Sequence, residues 1–483
     1  MAEKYTKNSP KVLNAEGKPL VPGTYELQNV VIRRDDLAND LNITELITDI
    51  SFTEELFSPV MVAKLTVSDT ANADNKIFKS NPDVFQGHEV LEISVKFIDS
   101  KGNQTIKFQL SVREYGDFEL DSEGVYTGVF VITAVDDFAV LSRLQQISFA
   151  VGQPHNVSKR NKNTIEHVDL IFKKYLKLND KEFDYSTTHS RTNCDSKIRG
   201  VIPYCTPLQA IEWLRTKSFD GDKSPFFIYG IFSDLAKLPD SPIRKIMARS
   251  WNWLIDKKHN SVYRKFVKKY NNDNGSYTND DKRYESEKQR ILEFTAGVTK
   301  NELNKFLQGE YDTIVKTINY TGYFDYDDKK IDPYVPALKD TLGQTPNEVE
   351  YSESFDRNKK LREDYIKTLK LSADDISISQ PAIISNRPLP LYDGPNGLND
   401  TVQIKNWHSR AVRFFTAKIA NEQSEIVVYG DINLNPGKII DLIVDEDSES
   451  STRNSLYIII ASVHSFVDGR YINRLKLVQL PKV

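Results

Sequence analysis

The chain predicts a mainly β protein with α+β insertions, and three observations carry that expectation. Short runs of alternating apolar and polar residues extend from Tyr25 to Val135, each bounded by Gly, Asn, Asp or Pro clusters, which is the spacing of a barrel or sandwich. From Glu425 the same pattern returns, rich in β-branched residues and divided by turn chemistry at Asn435-Pro436-Gly437 and Asp468-Gly469. Between them the period lengthens to that of helices, with N-cap signals at their starts. The expected architecture is two small antiparallel β-barrel domains bracketing an α+β middle domain and helical segments.

Taken in order, residues 1–24 read as a polar leader. Strands are expected at Tyr25–Arg33, Leu46–Phe57, Val60–Ser68, Glu89–Phe97, Thr105–Tyr115 and Val125–Val135. Turns between them are marked by Asp99-Ser-Lys-Gly-Asn103 and Asp121-Ser-Glu-Gly124, so residues 25–136 form the first β-barrel. Residues 137–234 then read as the α+β middle domain. Asp136-Asp137, Asn163-Thr164 and Thr206-Pro207 open helices there, the last with Pro at the first helical position, and Pro225–Phe232 is a strand.

Residues 235–309 read as a helical segment, basic and aromatic over 243–270, with a polar linker at Asn271–Asp281 and a second helical spacing from Arg283 to Gln308. Strand period resumes at Tyr311–Tyr326. Residues 327–401, rich in Asp, Lys, Ser and Pro, read as an insertion or extended loop region, with a helix near Lys360–Leu371. A helix over Val402–Ala420 leads into the closing strands. Residues 310–326 together with 402–483 are therefore expected to make the second β-barrel.

Composition narrows the function classes. Lys plus Arg number 64 and Asp plus Glu 68, a net charge of -4, which leaves no electrostatic footprint of a dedicated nucleic-acid binder. No apolar run reaches the length that spans a bilayer, and Met1-Ala-Glu-Lys-Tyr-Thr-Lys lacks the apolar core of a signal peptide, so the protein is expected to be made in the cytosol. Cys194 and Cys205 have neither CxxC nor zinc spacing and read as free thiols. Aromatics at 11% suit strand faces and protein interfaces.

The chain contains no GxxxxGK[ST], GxGxxG, HExxH or GxSxG pattern. Seven histidines (88, 155, 167, 189, 259, 408 and 464) are scattered, and His464, between Val463 and Ser465 on a strand, reads as packed or hydrogen-bonded. Asp325-Tyr-Asp-Asp328 and Asp445-Glu-Asp447 lack the phasing of an EF-hand and read as solvated loops. Around Trp251 and Trp253, Lys257, Lys258, Arg264, Lys265, Lys268 and Lys269 fit the solvated side of an amphipathic helix, which reads as a packing or docking element ahead of a base-stacking one. No catalytic, cofactor-binding or metal-binding residue is assigned, no cofactor is expected, and the protein is expected not to be an enzyme.

One further signal comes from motif order. Tyr429-Gly-Asp-Ile-Asn-Leu-Asn-Pro-Gly-Lys-Ile-Ile440, between two β-regions and after an α+β centre, resembles the central baseplate hub of contractile-tailed bacteriophages. So do Ser58-Pro-Val-Met-Val-Ala-Lys-Leu-Thr-Val-Ser-Asp69, Ala150-Val-Gly-Gln-Pro154, Thr206-Pro-Leu-Gln-Ala-Ile-Glu-Trp-Leu214, Ser224-Pro-Phe-Phe-Ile-Tyr229 and Gly469-Arg-Tyr-Ile-Asn-Arg-Leu-Lys-Leu477. The patches cover about half the chain and depart at about 235–282 and 327–400. The resemblance implies tube-type barrels in a homotrimer, so that six barrels adapt a sixfold tail tube to a threefold central spike. It also implies neighbouring baseplate proteins as partners, DNA passing through the lumen, assembly in the host cytoplasm and residence in the virion tail baseplate. The competing expectations are a tail-associated peptidoglycan hydrolase and a carbohydrate-binding sandwich protein.

Overall fold

In the computed structural model, residues 21–34, 40–69, 89–99, 102–116, 128–151, 162–185, 193–220, 225–233, 243–268, 280–295, 391–392, 423–444 and 454–480 are described. The first β-region supplies β1 (Thr24–Arg33), β2 (Leu41–Asn42), β3 (Ile47–Glu55), β4 (Ser58–Ser68), β5 (Val90–Asp99), β6 (Gly102–Gly116) and β7 (Val129–Val135). All but the two-residue β2, which has no counterpart among them, coincide closely with the alternating runs. In β4 the inward residues Met61, Ala63, Leu65 and Val67 are fully buried, as a period of two dictates.

The middle of the chain contributes α1 (Asp137–Arg143), β8 (Ala150–Val151), α2 (Thr164–Lys174), β9 (Phe183–Asp184), β10 (Ile198–Val201), α3 (Pro207–Arg215) and β11 (Phe226–Phe232). Asn163 caps α2 and Thr206 caps α3, each through a complete capping box, so the sequence signals at both helix starts act as read. Isoleucines 165 and 171, Val168 and Phe172 of α2 meet Ala210, Ile211 and Leu214 of α3 in one core.

The described residues of the 235–309 segment, 243–268 and 280–295, depart from the helical expectation. They form β12 (Arg244–Ser250), the one-turn α4 (Trp251–Ile255), β13 (Val262–Val267), α5 (Asp280–Glu287) and β14 (Ile291–Thr295). Of the apolar residues with helix-like spacing, Ile243 precedes β12, Met247 lies in it and Trp251 opens α4; β12 packs Ile246 and Ala248 into one core and Met247 against another, so alternation is lost. Ser250 then stops that strand by accepting the Trp253 N–H as an N-cap (3.2 Å). The remaining strands are β15 (Leu391–Tyr392), β16 (Gln423–Tyr429), β17 (Ile439–Ile443), β18 (Ser455–Val467) and β19 (Arg470–Gln479). The expected strand at 311–326 and the helices at 360–371 and 402–420 lie outside the described residues.

A 13-stranded sheet links both β-regions. Following its hydrogen bonds, β18, β3, β4, β7, β6, β5, β1 and β19 form one closed circuit, since β18 and β19 also pair with each other. A second circuit runs β13, β17, β18, β19, β16 and β14, closed by a parallel bridge between Val267 and Arg290. The β18–β19 hairpin therefore belongs to both. Ser455–Ile458 of β18 pair with β17, whereas Ala461–Val467 pair with β3. The ladder shifts register between Ile459 and Ala461, and the Ile460 carbonyl there accepts the Leu56 N–H (2.8 Å). A β-bulge thus turns one strand from one circuit into the other. Strands β13 and β14 of the second circuit come from the segment expected to be helical, a correction to the expected make-up of the second β-domain.

Candidate functional site

A cluster of buried polar and charged side chains lies where the two circuits meet the middle unit, and the β11–β12 hairpin builds that junction. Its strands pair from Phe226↔Ser250 to Phe232↔Arg244. Phe226, Ile228, Ile246 and Ala248 face the middle core. Phe227 and Tyr229 face outward into a cluster with Trp251, Leu254, Ile439, Ile458, Ile460, Val478 and Leu480, which spans the middle unit and the second circuit. The tip residue Phe232 enters the first circuit's core, edge-on to Phe52 (6.1 Å) and Phe108 (5.7 Å). One hairpin thus feeds three cores.

Close backbone approach makes this possible. A Cβ at Gly230 would lie 2.5 Å from the Pro59 carbonyl oxygen, and one at Gly437, where φ is +85°, would lie 2.7 Å from Tyr229 Oη. The Asn435-Pro436-Gly437 turn is consequently the docking point of the second circuit on the hairpin. Asn435 Nδ2 donates to the Phe232 carbonyl (2.9 Å), and the Gly437 carbonyl accepts from Asn260 Nδ2 (2.6 Å).

A polar network lies beside that apolar contact. Arg244, at the start of β12, pairs with Glu54 of the first circuit and with Asp136 Oδ2 (3.2 Å), which also accepts the Met61 N–H (2.6 Å). Glu54 is 1% exposed and its second oxygen lies 3.3 Å from His464 Nε2. His464 Nδ1 lies 2.7 Å from Tyr471 Oη and 3.0 Å from Asn473 Nδ2, which also donates to Ser462 Oγ (3.1 Å). Asn473 Oδ1 in turn accepts the Asp431 N–H (2.7 Å). Asp431 Oδ2 accepts from Tyr263 Oη (2.8 Å) and pairs with Arg264, carrying the network into the second circuit.

Burial sets the electrostatics. Desolvation raises the Asp136 carboxyl above its ordinary range, outweighing the nearby Arg244 guanidinium. Burial likewise holds the Tyr471 phenol well above its usual value, keeping it protonated. Its O–H and the Asn473 N–H both point at His464 Nδ1, an arrangement that assigns the imidazole proton to Nε2, facing Glu54. Burial pushes the Asp431 carboxyl up, but the Arg264 guanidinium and the groups hydrogen-bonded to it hold it below its ordinary range.

Ser462, His464 and Glu54 contain the residue types of a nucleophilic triad, but their geometry differs. Ser462 Oγ (3.4 Å) and Glu54 Oε2 (3.3 Å) approach the same imidazole nitrogen, whereas a triad base uses one nitrogen for the nucleophile and the other for the carboxylate. Ser462 and His464 are also fully buried, so this cluster holds structure together and offers no substrate access. His464 is thus hydrogen-bonded, as the strand context suggested. Periodicity shows no sign of Glu54, Asp136 or Arg244, because partners up to 410 positions apart leave no local pattern.

The other sequence candidates disperse. Cys194 and Cys205 are free thiols, with Cys194 Sγ among the Thr164 and Ser196 hydroxyls (3.2 Å each). Trp251 packs inward, while Lys257 and Lys258 lie in a turn and Arg264 and Lys265 on β13, so the expected cationic helix face does not form. Asp325–Asp328 and Asp445–Asp447 lie outside the described residues. Among the described residues no group of three or more His, Cys, Asp or Glu is placed to hold a metal, and no helix is long and apolar enough to cross a membrane.

No family model and no curated protein matches the chain. Solved structures do. An Escherichia coli component of the type VI secretion system, described as structurally similar to bacteriophage T4 tail proteins, is 9% identical with a TM-score of 0.40, covering 95% of this chain and 77% of its own. A 43 kDa prophage tail protein from Shewanella oneidensis is 9% identical with a TM-score of 0.42, covering 94% of this chain and 98% of its own. A tail protein from Neisseria meningitidis is 8% identical with a TM-score of 0.43, covering 94% and 96%. All three are tail or secretion-machine proteins. Likenesses this distant assign no function to the chain.

Proposed function

We propose that the chain is a non-enzymatic structural hub of a phage tail or related contractile injection machine. In this reading the two circuits are tube-type β-barrels, and three copies form a ring presenting six of them. That ring adapts a sixfold tail tube on one face to a threefold central spike on the other, touches neighbouring baseplate proteins and passes DNA through its lumen. The protein is assembled in the host cytoplasm and resides in the virion tail. The observation that carries the reading is the fusion of two closed circuits through one hairpin. A symmetry adapter needs two similar barrels per copy held at a fixed mutual angle, and a shared hairpin fixes that angle. The buried network from Asp136 through Arg244, Glu54 and His464 to Asp431 adds rigidity, since satisfied buried polar groups specify one arrangement. The ordered motif resemblance agrees. A net charge of -4 suits a lumen that must not trade counterions for phosphate contacts.

Native mass measurement of the full chain, alone and with the cognate spike, tests this directly. A trimer in either condition is expected, and a stable dimer overturns the reading. Zymography on cell-wall substrate separates the hydrolase alternative, because clear lysis contradicts a purely structural role.

A further inference from the structure

Three histidines lie among the described residues, and their surroundings differ. His464 is hydrogen-bonded at both ring nitrogens, and His259 stands beside Asp256 (3.5 Å). His167, on α2, is 9% exposed, yet neither its Nδ1 nor its Nε2 has a hydrogen-bond partner. A neutral imidazole sits poorly in such a place. An imidazolium sits far worse, because it carries two N–H donors and a charge.

The groups around His167 do little to support a proton. Across the interface Phe149 presents only a ring (6.5 Å), which stacks on Tyr175 (6.3 Å) beside the Lys174 ammonium (5.0 Å from the Tyr175 ring). Lys162, just before α2, opposes a charge on the imidazole more than Glu166 favours one. Glu166 is already engaged, since its carboxylate accepts the Asn163 N–H in the capping box (2.8 Å). One turn earlier Thr164 meets Cys194 (3.2 Å), and burial pushes that thiol up, keeping it neutral. Burial first and Lys162 second hold the imidazole below the ordinary histidine range.

This face of α2 leans on a strand ladder. The Phe149 carbonyl accepts the Ile202 N–H (2.9 Å), and Ser148 Oγ donates to the Ile202 carbonyl (2.8 Å). Next to them β8 pairs with β10 at Val151↔Gly200 and Ala150↔Val201. Phe149 thus ties the His167 face of the helix to the β8–β10 ladder.

We propose that His167 makes the contact between α2 and the β8–β10 ladder an acid-operated latch. As pH falls below neutral the imidazole takes up a proton by leaving its seat, and the ladder parts from α2 while the two strand circuits stay closed. A base with a depressed folded value is neutral in both states at high pH, so the latch is fully closed there. It weakens as pH falls through the open-state value towards the folded one. An open histidine titrates near pH ~6.5, so at pH 5 its protonation favours opening by up to about thirtyfold. The latch stands independently of the hub reading.

Hydrogen-exchange mass spectrometry of the full chain at pH 7.5 and pH 5, with intrinsic rates corrected for pH, tests it. Peptides from α2 and from β8 and β10 are expected to exchange about tenfold faster at pH 5, with those from β18 and β19 unchanged. His167→Leu fills the same seat without a titrating group and is expected to remove the acceleration. An α2 that exchanges alike at both pH values overturns the latch, and so does a folded His167→Leu variant that keeps the full acceleration. Should that variant fail to fold, nuclear magnetic resonance of the unaltered chain with labelled histidines decides. A His167 ring that titrates below about pH 6.5 supports the latch, and one that titrates at or above that value overturns it.

Discussion

The β11–β12 hairpin is anchored to both strand circuits by apolar contacts, Phe232 in the first circuit's core and Phe227 and Tyr229 against the second, but the anchor to the first circuit adds a buried ion pair. Towards the first circuit it offers a charge, Arg244, between the buried Glu54 and Asp136 carboxylates. Towards the second it offers a hydrocarbon face, where Phe227, Tyr229, Trp251 and Leu254 meet Ile439, Ile458 and Val478. An apolar contact tolerates sliding because dispersion and desolvation have no direction. A buried ion pair works only at one geometry, because removing either partner strands the other in a medium that cannot solvate it. The apolar anchor thus supplies adhesion and the ionic anchor supplies register.

The sharpest way to break the comparison is to discharge the ionic anchor. Arg244→Met leaves two buried carboxylates facing each other and is expected to cost about 3–5 kcal/mol in urea unfolding. The triple change Glu54→Gln, Asp136→Asn, Arg244→Met is expected to recover most of that loss. If the triple variant is as unstable as the single one, the ionic anchor acts through packing instead. Cutting the apolar anchor with Leu254→Ala should cost about 3 kcal/mol, with no change between pH 7 and pH 4. Gly437→Ala meets both a positive φ and the Tyr229 hydroxyl, and a loss of about 2 kcal/mol is expected on the same denaturant curves.

The smallest effect is one of pH. Asp184 on β9 feels burial first, but Arg249 and Lys245 together depress its carboxyl to about 2. A depressed carboxylate stabilises the fold above its unfolded value and loses that contribution as pH falls through the folded one. At pH 7, Asp184→Asn should therefore cost about 1 kcal/mol, after discounting for partial exposure, and most of the difference should vanish by pH 2. Asp136 has the opposite sign: its raised carboxyl makes its own ionisation unfavourable to folding, so its contribution improves as pH falls through its folded value. Thermal unfolding of Asp184→Asn and Asp136→Asn across that range should show slopes of opposite direction.

Much of the fold was legible because it is local. Strands β1 and β3 to β7 follow from alternation, α2 and α3 from their capping boxes, and the β18–β19 turn from Asp468-Gly469. What escaped is non-local. Strand β12 reads as a helix because both of its faces are buried, and β13, paired in parallel with β17, shows no clean alternation either. The shared hairpin escaped for a different reason. A 13-residue apolar run looks like one strand, and nothing in its composition tells that a bulge at Ile460 divides its partners. The junction was half visible: Asn435-Pro436-Gly437 stood out as a turn, while its seat on Phe232 and Tyr229 depends on residues about 200 positions away.

The shared hairpin also bears on the order in which the chain can fold. Residues 24–135 leave the ribosome long before residues 455–479, yet β3 needs β18 and β1 needs β19 to satisfy their outer edges. Until then two strand edges stand unpaired, the condition that invites association with other chains. Contacts bridging some 400 residues also make folding slow, since loop closure must come before they can form. Nascent protein is therefore expected to depend on holding factors during synthesis, and fragments that stop short of β18 should aggregate even though they contain almost all of the first circuit.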